Sequence, residues 1–153
     1  MISYRLAAVD DAGDLARVRL DFLDDSGLAG SEEERARTLA GNLEFMEKSL
    51  ADGSFVSWLA VSDGQIVGTS GISFYLLPPN RRYPAGRVAY ISNMFTYREY
   101  RNQGIATKLF AMTVEEARKR GCGKVLLTAT DMGRPLYEKY GFKDAEGDMT
   151  FYL

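Results

Sequence analysis

The sequence has no histidine and a single cysteine in 153 residues. The first absence excludes Ser-His-Asp and Cys-His nucleophilic catalysis and zinc sites built on histidine. Any chemistry must therefore fall to carboxylates, tyrosine, lysine, backbone groups or water. The second absence excludes an intrachain disulfide and fits a reducing compartment. Cys122 stands between Gly121 and Gly123, after a predicted helix and without a histidine to activate it, and reads as structural. Charge of one sign is also missing. Lys and Arg number 19 against 21 Asp and Glu, a net charge of −2, which gives no electrostatic footprint for nucleic acid. No run approaches the roughly 20 apolar residues that span a bilayer, and Met1 to Arg5 lack the apolar stretch of a secretion signal. The default expectation is a soluble cytoplasmic protein without a membrane partner.

What is present suffices for one packed domain over residues 1–153, since 46% of the residues are hydrophobic and 12% aromatic. Ile2 to Ala8 reads as a strand, followed by a helix carrying Leu15, Val18 and Phe22 at helical spacing. Ser31 and Glu34 form a capping box that starts a second helix, with Leu39, Leu43, Met46 and Leu50 as its apolar stripe and Asp52-Gly53 as its stop. Phe55 to Val61, the turn Ser62-Asp63-Gly64-Gln65 and Ile66 to Leu77 predict an antiparallel hairpin. Three of the four prolines crowd into Pro78 to Gly86, an exposed loop before a strand from Val88 to Thr96. A helix from about Gln103 to Arg120, a strand from Lys124 to Thr130, a short helix from Gly133 to Tyr140 and a closing strand from Met149 to Leu153 complete the order. The basic run Arg118 to Arg120 complements the helix dipole and needs no ligand. The expected architecture is mixed α/β (α+β).

The segment Arg101-Asn102-Gln103-Gly104-Ile105-Ala106 carries the strongest chemical signal. It lies where a strand gives way to an amphipathic helix, and the first turn of a helix leaves several backbone amides unpaired at the positive end of the dipole. A phosphate or pyrophosphate can bind there with few side-chain cations. Gly104 lets the backbone approach closely, Ala106 keeps the entrance open, and Arg101 can add a charge-assisted contact. Neither a G-x-x-x-x-G-K-[ST] loop nor G-x-G-x-x-G after a strand is present, which weighs against ATP-type and dinucleotide folds.

That segment resembles the Arg/Gln-x-x-Gly-x-Gly/Ala signature of GNAT acetyltransferases. Tyr90-Ile91-Ser92-Asn93-Met94-Phe95-Thr96 resembles the strand before the signature, and Pro135-Leu136-Tyr137-Glu138-Lys139-Tyr140-Gly141-Phe142 resembles the later L-Y-E-K-x-G-F motif. The resemblance implies a central mixed, mostly antiparallel sheet of six to seven strands flanked by about four helices. It implies acetyl-CoA as cosubstrate, without a metal, and an amine-bearing acceptor, either small molecule or protein. Implied cofactor contacts are Met94, Phe95 and Thr96 from the strand, Arg101, Asn102, Gln103, Gly104, Ile105, Ala106 and Thr107 from the loop and helix, and Thr130. Tyr137 matches the family's usual general acid, with Tyr140 three residues later as its competitor for that place.

The implied reaction is direct attack by a primary amine in a ternary complex. A catalytically inactive sensor or partner-binding domain is the alternative, and homodimers are common among similar proteins. The chain departs from the family pattern at Thr130, where many members carry asparagine, at Arg98, where proline is frequent, and at Ser92 and Asn93, where some place a carboxylate base. An acid elsewhere, such as Asp21, Asp24 or Glu99, or water, would then take the amine proton. The acids Asp21, Asp24, Asp25 and Glu32 to Glu34 can attract a cationic amine, although helix-dipole complementation and solvation explain most of them.

Overall fold

Local rules place the elements of the computed structural model, which describes residues 1–153. The strands are β1 (Ser3–Leu6), β2 (Phe55–Ser62), β3 (Gln65–Leu76), β4 (Arg87–Thr96) and β5 (Lys124–Leu127). The helices are α1 (Ala12–Asp25), α2 (Glu32–Asp52), α3 (Ile105–Lys119) and α4 (Arg134–Tyr140). Ser31 caps α2 as its sequence predicts. Its Oγ accepts the Glu34 amide at 3.3 Å, and Glu34 reaches back to the Ser31 amide at 2.7 Å. The β2–β3 turn places Asp63 at φ 49° and Gly64 at φ 78°, the paired left-handed geometry that matches strand twist.

The five strands form one sheet in sequence order, antiparallel from β1 to β4 and parallel between β4 and β5. The mixed, mostly antiparallel sheet with four α-helices agrees with expectation, but the strand count is five and not six to seven. The predicted closing strand is the missing one. Met149 to Leu153 join no ladder and are exposed, because a strand needs a partner edge and β5 offers only four residues of edge, paired on one side with β4. No helix is long and apolar enough to cross a membrane.

The two sheet faces carry different layers. On one, α3 brings Phe110, Val114 and Ala117 against Ile72, Ala89 and Ile91, joined by Tyr137 of α4. On the other, α1 and α2 bring Ala12, Leu15 and Met46 against Phe55 and Leu59. Each fully buried Leu or Phe in these layers contributes roughly 1.5–3 kcal/mol by burial. The α2 stripe is only partly used. Met46 is buried, whereas Leu43 remains 37% exposed. Gly71 has a steric role in this layer. A Cβ there would lie 2.3 Å from the Phe55 ring, so the strand can sit against that ring only with no side chain at 71.

Candidate active site

Strand β4 changes character halfway along. Ser92 pairs with Gly71 and Phe95 with Thr69, so Asn93 and Met94 together oppose Ser70 alone, which is a β-bulge. Asn93 adopts φ 54°, and the buried Thr69 hydroxyl donates to its carbonyl at 2.7 Å, which pins the extra residue. The parallel ladder with β5 ends at Ile91 and Leu127. From Ser92 to Thr96 the β4 edge on that side has no strand neighbour, and the two strands part around a cleft of about 580 Å³. Met94, Phe95 and Thr96 form one wall. Thr96 also holds a buried Oγ1 with no hydrogen-bond partner within the chain.

The cleft ends at the amino terminus of α3. Asn102 and Gly104 both take left-handed backbone, φ 61° and 77°, and together they turn the chain into the helix. Nothing lies within 4 Å of a Cβ built on Gly104, so glycine is favoured there by its φ and not by space. The helix therefore begins at Ile105, two residues later than the sequence pattern suggests. No side chain caps it, and the amides of its first turn have no intrahelical acceptors. Ile105, Ala106 and Thr107 line the cleft at this end, together with Arg101, Asn102 and Gly104.

Arg101 fastens the loop. Its Nε donates to the Thr96 carbonyl at 2.9 Å and its Nη2 to Asp25 at 2.7 Å, while Arg98 pairs with the same Asp25 at 2.8 Å. The Arg101 guanidinium, and after it that of Arg98, holds the Asp25 carboxyl below the usual carboxylate range. Only the remaining N–H groups of Arg101 are free to meet an anion. Gln103 is the one expected contact that does not line the cleft, and its Nε2 donates to the Glu99 carbonyl at 3.3 Å.

The far wall follows β5. Thr130 lines it and acts as a cap, its Oγ1 accepting the Gly133 amide at 3.2 Å. Tyr137 on α4 is 7% exposed, with its ring centroid 5.1 Å from that of Phe110, and burial pushes its phenol above the ordinary value of 10.0. Tyr140 competes poorly for this place. It packs edge-on against Phe110, its hydroxyl accepts from Arg118 at 3.5 Å, and it does not line the cleft.

The acidic residues are largely committed to partners in the chain. Asp24 pairs with Arg35, Asp21 accepts from the Tyr97 hydroxyl, and Glu34 caps α2. Neither Asp21, Asp24 nor Glu99 lines the cleft. Cys122 is half-buried, and burial raises its thiol above the ordinary value, as suits an inert packing residue. Sequence reasoning missed Phe22, Asp25, Ser26, Tyr100, Asp131, Met132, Gly133 and Leu136 in the lining and the bulge at Asn93. An asparagine within an otherwise apolar and branched strand was the available signal for the bulge.

One cleft thus brings together a strand edge without a neighbour, a helix end with unpaired amides and a buried phenol. Residues 19–142 match the acetyltransferase (GNAT) family model, and the chain belongs to that family. Among solved structures, a predicted acetyltransferase from Clostridium acetobutylicum, crystallised with acetyl-CoA, superposes with a TM-score of 0.91 at 33% identity, over 100% of this chain and 97% of that one. An acetyltransferase of Agrobacterium fabrum is 48% identical over 54 residues, 35% of this chain and 39% of the relative. The glucosamine 6-phosphate N-acetyltransferase of Trypanosoma brucei brucei is 30% identical over 90 residues, 59% of each chain. The chain thus spans only 39% and 59% of the lengths of these two curated relatives.

Proposed function

We propose that the protein is an N-acetyltransferase that moves an acetyl group from acetyl-CoA to a primary amine by direct attack, with both substrates bound together. The observation that carries this reading is the continuity of one cleft from the unpaired amides of α3 to the Tyr137 phenol, past the open edge of β4. A pyrophosphate suits the α3 end, where amides and dipole supply positive potential. Pantetheine, an extended arm with two amides, can pair with the β4 edge as an added strand. The buried, unpartnered Thr96 hydroxyl fits the same view, since such a group is costly unless a ligand completes it. The relative in Clostridium acetobutylicum with acetyl-CoA supports the choice of donor. Names among the relatives support an amine acceptor, glucosamine 6-phosphate being one such amine.

Acetyl-CoA supplies an activated thioester, and the chain's own groups position it and move one proton. The β4 backbone near Met94 is placed to stabilise negative charge that develops on the acyl oxygen. Tyr137 then donates its phenolic proton to the departing sulfur. At reference values near 10 for a phenol and 8.5 for a thiol, that transfer is uphill by about 2 kcal/mol. Burial keeps the phenol protonated at neutral pH, and the same exclusion of water makes a naked thiolate costly, which favours concerted transfer. None of Asp21, Asp24 and Glu99 lines the cleft, and Asp25, which does, is tied to Arg98 and Arg101, so water or the exposed Asp131 at the cleft wall takes the amine proton. The buried Tyr137 at its wall speaks against the reading as an inactive sensor.

The test is release of free CoA thiol from acetyl-CoA with a panel of primary amines, alongside calorimetric titration of CoA. Amine-dependent release is expected. CoA binding without release on a broad panel would overturn the catalytic half of the reading, and absence of binding would overturn both halves.

A further inference from the structure

Arg19 stands apart from the other arginines of the chain. It is half-buried on α1, yet it makes no ion pair and no hydrogen bond within the chain. Every other arginine that is not fully exposed is partnered. Arg35 pairs with Asp24, Arg101 with Asp25 and the Thr96 carbonyl, and Arg120 donates to the Gly53 carbonyl at 2.6 Å. The acids nearest to Arg19 in sequence face other groups. Asp14 takes Arg17, Asp21 takes the Tyr97 hydroxyl, and Asp25 takes Arg98 and Arg101. What Arg19 touches is aromatic. Its guanidinium carbon lies 4.9 Å from the Phe22 ring centroid, and Tyr90 of β4 is the titratable group that acts on it. Burial lowers its pKa, and no carboxylate offsets that cost.

Its place in the fold gives this isolation a meaning. Tyr90 and Ser92 pair with Ser73 and Gly71, on the face where Gly71 meets the Phe55 ring and α1 and α2 pack. Tyr90 lies one residue before the end of the β4–β5 ladder, and its hydroxyl meets that of Thr128, one residue past that end, at 2.5 Å. Just beyond, the two strands part, and Met94 lies against the α3 layer. An acyl group reaching through that gap from the α3 side would emerge on the α1 side, where Phe22 lines the cleft and carries the Arg19 guanidinium beside its ring. A guanidinium resting near a ring, with its N–H fork unclaimed, is suited to a planar or tetrahedral oxyanion.

We propose that Arg19 binds an anionic group, carboxylate or phosphate, on the acceptor, so that the protein selects small amines carrying such a group and orients their nitrogen at the acyl carbon. The proposal rests on the acetyltransfer reading above and adds the acceptor's chemical class. Phe22 supports the guanidinium, and the Tyr90–Thr128 hydroxyl pair keeps one proton free to donate.

The experiment compares ω-amino carboxylates and ω-aminoalkyl phosphates of two to six carbons with the uncharged ω-amino alcohols of equal length. Wild type, Arg19→Gln and Arg19→Lys are used, with melting temperature and CoA affinity measured for each. In wild type one anionic series should have the higher kcat/KM, and which one it is separates carboxylate from phosphate. Arg19→Gln should raise the KM of that series by about 10- to 100-fold, as expected for lost hydrogen bonds to a charged group. It should leave the amino alcohols and CoA affinity within about twofold, while Arg19→Lys recovers part of the loss. Equal losses for charged and uncharged acceptors, or amino alcohols preferred by wild type, would overturn the proposal.

Thermal-shift titration of the same compounds onto the CoA-loaded protein separates failure here from failure of the acetyltransfer reading. A shift by one anionic series that disappears in Arg19→Gln supports the anion site even if no acetyl group moves. Absence of any such shift overturns it.

Discussion

Gly133 and Tyr137 are in direct contact, one helical turn apart, and a Cβ built on Gly133 would lie 2.8 Å from the Tyr137 phenolic oxygen. Gly133 has φ −83°, an ordinary value for any residue, so its lack of a side chain matters for space and not for backbone freedom. Gly133→Ala therefore tests the position of the phenol alone. The added methyl should push the ring from the cleft wall and lower kcat by about 10-fold or more, since small displacements of a reacting group are costly. KM for acetyl-CoA should change by less than about threefold. Steady-state kinetics with varied acetyl-CoA checks this, and an unchanged kcat would show that the phenol has no demanding position.

The pH profile follows from the direction of the Tyr137 shift. Its phenol is raised by burial, so the acid form persists through neutral pH and is lost only as pH rises through a value above 10.0. The acceptor amine reacts as its neutral form, so the rate should climb with pH as that amine loses its proton. The decline set by Tyr137 should begin only above about pH 10. Tyr137→Phe should lower kcat by about 100-fold or more and remove the alkaline decline. A decline that persists in the variant would assign it to another group.

Asp25 supplies a stability signature with the opposite sense. Its carboxyl is held low by Arg101 and Arg98, so its contribution is present above the ordinary carboxylate value near 3.9 and fades as pH falls through the lower folded value. Asp25→Asn should reduce the melting temperature at pH 7, and the gap from wild type should close below about pH 4. It should also weaken CoA binding, because Arg101 would lose the partner that fixes the loop before α3. Melting curves at several pH values and calorimetry check the two effects, and a gap that does not vary with pH would exclude the carboxylate as its cause.

Periodicity and cap chemistry are local, and they made most of the fold legible. The Ser31–Glu34 box, the Asp63-Gly64 turn and the α3 apolar face all lie where the sequence places them. Contacts between distant segments were not legible. That Arg101 would reach Asp25, 76 residues away, depends on how α1 lies across β4, and nothing near either residue encodes it. Nor could an apolar alternation in Met149 to Leu153 reveal whether an edge would be there to receive it. The choice between Tyr137 and Tyr140 needed the packing of α4, since both sit near Phe110 and only one turns to the cleft.

The bulge at Asn93 inverts the parity of β4. Before it, odd-numbered Ala89 and Ile91 face α3 while even-numbered Tyr90 faces α1; after it, odd-numbered Phe95 meets Phe22 of α1 while even-numbered Met94 lies against the α3 layer. One strand thus carries two reading frames. The frame that stabilises the sheet ends where the frame that borders the cleft begins, so each half of β4 can answer to a different requirement without a separate loop to join them.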